Sequence, residues 1–201
     1  MEDLAGRGGL SLILVLLGPP GVGKGTQASR AAASQGWHHL STGEILRSEV
    51  EQGTPLGEEA RAYMDRGDLV PDKVMVEMVV RRIEDVADNE VLLLDGFPRT
   101  LAQAESLAEA APGGVIAGAL YFWAPDSVLE ARLLVRGRED DTAEILRHRL
   151  SVFRETTVPL VSWYEKQGVL FEVDADRSIE EVEEDVTQVV MSLLHPSNSA
   201  H

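Results

Sequence analysis

The chain has 201 residues, 44% of them hydrophobic and 26% charged, which fits one folded domain and excludes a disordered chain. Lys and Arg total 18 against 34 Asp and Glu, a formal net charge of −16, which argues against nucleic acid or an anionic membrane as partner. Cysteine is absent, so there is no disulfide framework, no Cys-bound zinc and no thiol nucleophile, and a reducing, cytoplasmic setting is expected.

Residues 1–9 are Gly-rich and polar and are expected to fray, as is the tail 195–201. The run Leu10–Leu17 is apolar except for Ser11 and far shorter than the ~20 residues that span a bilayer. Acidic Glu2 and Asp3 precede it and Gly18-Pro19-Pro20-Gly21 follows it, so it reads as a strand and not as an export signal. Further strands are predicted at Trp37–Leu40, Val91–Leu94, Ile116–Trp123 and Val169–Val173. Such continuous apolar runs suit strands buried on both faces, as in a parallel sheet.

Helical patterns fill the intervals. They cover Lys24–Gln35, Asp72–Val86, Thr100–Ala110, Asp126–Arg136, a long Thr142–Gln167 bent or broken at Pro159, and Ser178–Leu194, which opens with a Ser178/Glu181 capping box. Gly43–Arg66 is helical but polar and reads as an insertion outside the core. Strand–helix alternation gives an α/β fold of three layers. Trp37, Trp123 and Trp163 lie in or beside apolar runs and are expected to pack. His38 and His39 are no metal pair, because neighbours on a strand face opposite ways.

The chemistry begins at Gly18-Pro19-Pro20-Gly21-Val22-Gly23-Lys24-Gly25-Thr26, which follows a strand and opens a helix. Glycines let successive N–H groups turn inward around an anion, and the helix N-terminus adds partial positive charge. Lys24 adds a full charge on a long stem. The strict phosphate-loop pattern wants Ser or Thr directly after the Lys; here Gly25 intervenes before Thr26. Val91–Leu94 ends in Asp95, the position from which such proteins hold Mg²⁺, often through water. Fifteen of the 18 basic residues are Arg, the side chain suited to bidentate phosphate contact. Residues 128–154 carry six Arg against five acidic residues, so a basic cleft is expected in an acidic body.

Neither a guanine-reading Asn-Lys-x-Asp nor a Leu-Ser-Gly-Gly-Gln signature occurs. Instead the chain carries Ser41-Thr42-Gly43-Glu44-Ile45-Leu46-Arg47, Gly67-Asp68-Leu69-Val70-Pro71-Asp72, Asp95-Gly96-Phe97-Pro98-Arg99-Thr100 with Gln103, and Arg132, Arg136, Arg138-Glu139-Asp140-Asp141 and Arg149. In this order, from Leu10 to about Leu194, the chain resembles adenylate kinase, a nucleoside monophosphate kinase, in its short-lid form without zinc. The resemblance implies a five-stranded parallel sheet in one domain, with core segments 10–40, 71–134 and 142–194, a nucleotide-binding insertion 41–70 and a lid 135–141. It implies ATP and AMP as substrates giving two ADP, Mg²⁺ with ATP, and a monomer.

The residue roles follow from the same resemblance. Gly21, Val22, Gly23, Lys24, Gly25 and Thr26 would hold the ATP phosphates, with Arg136 above them and Arg177 at the adenine. Thr42, Arg47, the backbone at Asp68, Leu69 and Val70, the segment Gly96-Phe97-Pro98, Arg99 and Gln103 would hold AMP. Arg132, Arg136, Arg138 and Arg149 would join Lys24 and Arg99 around the transferring phosphoryl, Arg138 and Arg149 also holding AMP, with Asp140 and Asp141 supporting the metal and the arginines. An amide such as Gln103 can read the adenine edge with a paired donor and acceptor. Pyrimidine monophosphate kinases look similar but usually carry Ala at the position of Thr42 and Asn at those of Thr100 and Gln103. A UMP or CMP kinase, and a nucleotide sensor without catalysis, are the competing readings.

Overall fold

The computed structural model describes residues 12–86, 90–110, 115–136 and 142–195. Arg138, Asp140 and Asp141, most of the expected lid, residues 1–9 and the tail beyond His195 lie outside the described residues, as does the side chain of Arg136.

β1 (Leu12–Leu17), β2 (His38–Ser41), β3 (Val91–Asp95), β4 (Val115–Trp123) and β5 (Leu170–Asp174) form one sheet in the order β2-β3-β1-β4-β5, with every neighbouring pair parallel. Parallel neighbours need crossovers, so helices cover both faces. The alternation of β1 shows both layers. Ile13, Val15 and Leu17 pack with Met75, Met78 and Val79 of α4 (Asp72–Glu84), Leu107 of α5 (Leu101–Ala110) and Leu160 and Tyr164 of α8 (Val158–Lys166). Leu14 and Leu16 pack with Ala28 and Ala31 of α1 (Lys24–Gln35), Leu129 of α6 (Asp126–Arg136) and Val182, Val186 and Val190 of α9 (Ile179–Leu194). Each Val, Leu, Ile or Met among these, once fully buried, contributes about 1.5–3 kcal/mol.

The insertion is two helices, α2 (Thr42–Gln52) and α3 (Pro55–Arg66). Each starts on a hydroxyl cap: Ser41 Oγ accepts from the Glu44 N–H, and Thr54 Oγ1 from the Gly57 N–H. The expectation that this segment stands outside the core needs correction. Leu46, Ala60 and Val70 are buried in the same cluster as Val15 and Leu94, because a two-helix hairpin has one apolar stripe to cover.

The long helical pattern breaks before its proline. α7 (Ala143–Val152) passes through a π-helical turn, Phe153–Thr157, into α8. Pro159 has no N–H and its ring crowds the carbonyl four residues back, at Glu155, so the ladder widens over the preceding turn. Trp123 also departs from expectation: at the end of β4 it is 41% exposed.

Candidate active site

β1 is central, with β3 and β4 on either side, and the chain leaves it toward β2 before crossing back from β3 to β4. Parallel α/β sheets open a crevice at the carboxyl ends of the strands where such crossovers diverge. A cleft of about 870 Å³ lies there. Its described lining includes the phosphate loop, the N-terminal half of α2, Gly67–Val70, Asp95–Gly96, Pro98–Arg99, Gln103, Ala175 and Arg177–Ile179.

The loop fits an anion at its mouth. Gly21 has φ +82, and a Cβ there would lie 2.6 Å from Leu133 Cγ, so only glycine allows this close turn. Lys24 opens α1, and its Nζ donates to the carbonyls of Gly18 (2.6 Å) and Pro19 (3.1 Å), which holds the ammonium over the loop. Arg132 Nη1 donates to the Val22 carbonyl (3.2 Å). Thr26 lines the cleft and is exposed.

Register brings Asp95 to this loop, since it pairs with Leu16 at the end of β1. One of its carboxylate oxygens is 3.2 Å from where a Cβ on Gly25 would stand. Burial pushes the Asp95 carboxyl up, but the His39 ring, Lys24 and Arg99 outweigh it and hold the group below the usual carboxylate range. His39 Nε2 lies 3.9 Å from Asp95 Oδ2, beyond hydrogen-bond length, and is buried without a hydrogen-bond partner. The neighbouring His38 points the other way, to Glu90 at 2.7 Å, as the strand pleat requires.

Arg99 is exposed on the concave wall of the cleft. Lost hydration disfavours its charge, Asp95 favours it, and Arg149 and Arg47 repel it. Its Nε donates to the Gly96 carbonyl (2.8 Å), and Thr157 of the π-helical turn donates to the Arg99 carbonyl (2.9 Å). The helix distortion before Pro159 therefore supports the arginine. Arg149 approaches the insertion, with Nη2 3.5 Å from the Met64 carbonyl. Arg177 Nη2 ion-pairs with Asp185 and its Nε donates to the Asp174 carbonyl (3.3 Å).

Lys24, Arg47, Arg99, Arg132, Arg149 and Arg177 thus line one cleft, where Glu44, Asp68 and Asp95 are the acidic lining residues described. The basic cleft in an acidic body is present. Two expected residues, Phe97 and Thr42, take other postures, and Asp68, expected to act through its backbone, has its side chain engaged elsewhere. Phe97 is fully buried in the core and does not line the cleft, since the segment after β3 turns its largest apolar side chain inward. Thr42 is fully buried and its hydroxyl donates to the Asp95 carbonyl (3.2 Å). Asp68 turns its carboxylate to Arg66 Nε (2.8 Å) and His148 Nε2 (2.7 Å), which hold it ionised at lower pH than usual.

Gln103 sits 2% exposed in the cleft wall. Its Oε1 accepts from the Arg99 N–H (2.7 Å) and its Nε2 donates to Asp72 Oδ1 (2.7 Å). Thr100 Oγ1 donates to Asp72 Oδ2 (2.9 Å). In the sequence Asp72 reads as the start of a helix. Its place at the end of the quoted Gly67–Asp72 motif was the available signal. Gln27, buried beside the phosphate loop with its Nε2 on the Ile179 carbonyl, was also missed, since nothing in the local pattern links α1 to α9.

The adenylate kinase family model matches residues 16–169. The chain belongs to the adenylate kinase family. An adenylate kinase of Thermus thermophilus is 48% identical over 175 residues, covering 84% of this chain and 91% of that one. An adenylate kinase of Parasynechococcus marenigrum is 45% identical over 179 residues, 88% of this chain and 97% of the other, and one of Synechococcus sp. (strain RCC307) is 48% identical over 176 residues, with 87% and 96% covered. As an adenylate kinase, the chain is a phosphotransferase that converts ATP and AMP to two ADP. Among the described residues there is no cluster of three or more His, Asp or Glu able to hold a metal, and no helix is long and apolar enough to cross a membrane.

Proposed function

We propose that the two nucleotides lie end to end in the cleft, with the phosphates of the donor on the loop after β1 and the acceptor between the insertion and the segment after β3. The meeting of Lys24, Arg99, Arg132 and Arg149 in one crevice with the phosphate loop carries this reading. Gly21–Thr26 would cradle the donor phosphates, with Arg132, Arg136 and Arg177 along the donor side. Arg47, Arg99, Arg138, Arg149 and the backbone of Asp68–Val70 would hold the acceptor phosphate and ribose, and Gln103 the acceptor base. Thr42 would act through the backbone it braces at Asp95.

The acceptor supplies its own nucleophile. A phosphate oxygen of AMP attacks the γ-phosphorus of ATP, the bond to the β–γ bridging oxygen breaks, and ADP leaves. Both reactants are polyanions, so the barrier is largely repulsion and positioning, which the cations relieve. No protein nucleophile is needed, which fits a chain without Cys. Water competes with AMP, so the crevice must shut before transfer, with the insertion and lid as the moving parts.

The residues fit Mg²⁺. Asp95 is a carboxylate held ionised beside the phosphate loop, and Thr26 offers a hydroxyl, a sparse oxygen set of the kind Mg²⁺ completes with water and phosphate. The ion would neutralise phosphate charge. Every side chain invoked comes from one chain, so a monomer suffices, and we place it in the cytoplasm with its nucleotides.

A coupled assay with ATP and, in turn, AMP, CMP, UMP and GMP tests the reading. AMP should be turned over at least about tenfold more efficiently than the rest, the ratio one well-formed polar contact supplies. Equal or better use of CMP or UMP would move the protein to the pyrimidine kinases. Calorimetry with two adenosines joined by five phosphates checks the geometry: one equivalent should bind and displace both substrates.

A further inference from the structure

We propose that Asp72 sets the acceptor site's choice of 6-aminopurine over 6-oxopurine monophosphates, by holding the side-chain amide of Gln103 in one orientation. This rests on the reading above that Gln103 faces the acceptor base.

A primary amide can turn over and exchange its donor and acceptor ends. The neighbours of Gln103 forbid that. A backbone N–H only donates, and the one at Arg99 lies 2.7 Å from Oε1. A carboxylate only accepts, and Asp72 Oδ1 lies 2.7 Å from Nε2. The turned-over amide would set N–H against N–H and oxygen against oxygen inside a wall that leaves Gln103 2% exposed. Asp72 is itself fixed. Thr100 donates to its other oxygen at 2.9 Å, and Thr100 Oγ1 accepts from the Gln103 N–H at 3.2 Å, which closes the network. As the first residue of α4, Asp72 also gains from the positive end of that helix.

Among the described residues, one N–H on Nε2 and one lone pair on Oε1 remain uncommitted. Adenine presents an acceptor at N1 and a donor at its 6-amino group. Hypoxanthine and guanine present the reverse, a donor at N1 and an acceptor at O6. Only the locked orientation matches adenine; a 6-oxopurine would need the forbidden one. Selectivity of this kind is strong because the wrong base leaves polar groups buried and unpaired. Asp72 acts through Gln103 and is a positioning residue.

The test compares kcat/KM for AMP with that for IMP, using ATP as donor, in the wild type and in Asp72→Ala, Asp72→Asn and Gln103→Leu. In Asp72→Ala water replaces the carboxylate, and water both donates and accepts. The AMP-to-IMP ratio should fall about tenfold while KM for ATP stays put. Asp72→Asn keeps an oxygen for Nε2 and should stay within about threefold of wild type. Thr100→Val loosens Asp72 without removing it and should shift the ratio the same way by about threefold, which keeps the test decisive if Asp72→Ala does not fold. A lower Tm or a general loss of kcat with the ratio intact would overturn the inference, because that is the mark of a merely structural contact. Gln103→Leu separates the two levels. If it collapses the ratio while Asp72→Ala and Thr100→Val do not, Asp72 is not the selector; if it leaves the ratio unchanged, Gln103 does not face the base and the underlying reading falls too.

Discussion

The Gln27 amide donates to the Ile179 carbonyl over 3.0 Å, joining the first turn of α1 to the first turn of α9 across 152 positions. Because a carbonyl only accepts, Nε2 must face Ile179, and Oε1 is left buried without a partner. Arg30 Nε extends the seam one turn on, to Glu183 at 2.6 Å. The seam ties the phosphate loop to the wall Arg177–Ile179.

Replacing Gln27 with Met keeps the length of the side chain and removes both the bond and the stranded oxygen. These effects oppose one another at about 1 kcal/mol each, so Tm should move by only a few degrees. The wall loses its register with the loop, and KM for ATP should rise about three- to tenfold with KM for AMP unchanged, as about 1 kcal/mol of positioning implies. Steady-state kinetics with each substrate varied in turn checks this, and equal shifts in both KM values would refute it.

The insertion depends on one close approach. A Cβ on Gly57 would stand 2.1 Å from the Glu49 carbonyl oxygen and 2.6 Å from the Val50 nitrogen, both rigid backbone. Gly57→Ala must therefore push α3 off α2. Overpacking of this kind costs about 1–3 kcal/mol. Thermal denaturation should show the loss, and KM for AMP should rise more than KM for ATP, since α2 carries Arg47 while the phosphate loop hangs between β1 and α1.

Much of this was legible in the sequence because it is local. Four apolar runs and the segment Trp37–Leu40 mark the five strands, and Lys24–Gln35 and Asp126–Arg136 match their helices at both ends. The phosphate loop declared itself by composition and place. Arg99 and Gln103 came with the resemblance. What was illegible is long-range. The burial of Leu46 and Ala60 depends on α2 and α3 folding over the sheet, and the π-helical turn depends on how Pro159 is absorbed upstream. Asp72 is 31 positions from Gln103 and meets it only because α4 and α5 pack side by side.

Glu181 gives a pH signature. Ser178 donates to its carboxylate through Oγ (2.6 Å) and the backbone N–H (3.0 Å), and these bonds lower its pKa from the ordinary 4.5. A carboxyl whose pKa is lowered by folding contributes stability that is full above its unfolded value and lost as pH falls through the folded one. Urea midpoints for the wild type and Glu181→Gln should therefore differ by a constant amount from neutral pH down to about 5 and converge below 4.5. A gap that widens in acid would show that Glu181 is not the group responsible. Because α9 begins here, the same variant should also weaken ATP more than AMP.

Lys24 separates chemistry from binding most cleanly. Its ammonium rests between the Gly18 and Pro19 carbonyls, and Met in its place keeps the stem but removes the charge. A cation on the transferring phosphoryl is worth about 10³–10⁵ in rate, so kcat of Lys24→Met should fall by about 10³ or more. Lys24→Arg should not restore it, since a planar fork cannot occupy the point between two carbonyls that an ammonium fills. The reaction is reversible and its equilibrium constant belongs to the nucleotides. A defect in the transfer step must therefore lower the forward and reverse rates by the same factor. Assays run from ATP plus AMP and from ADP alone decide the point: a loss in one direction only would place Lys24 in binding or release, not in the transfer itself.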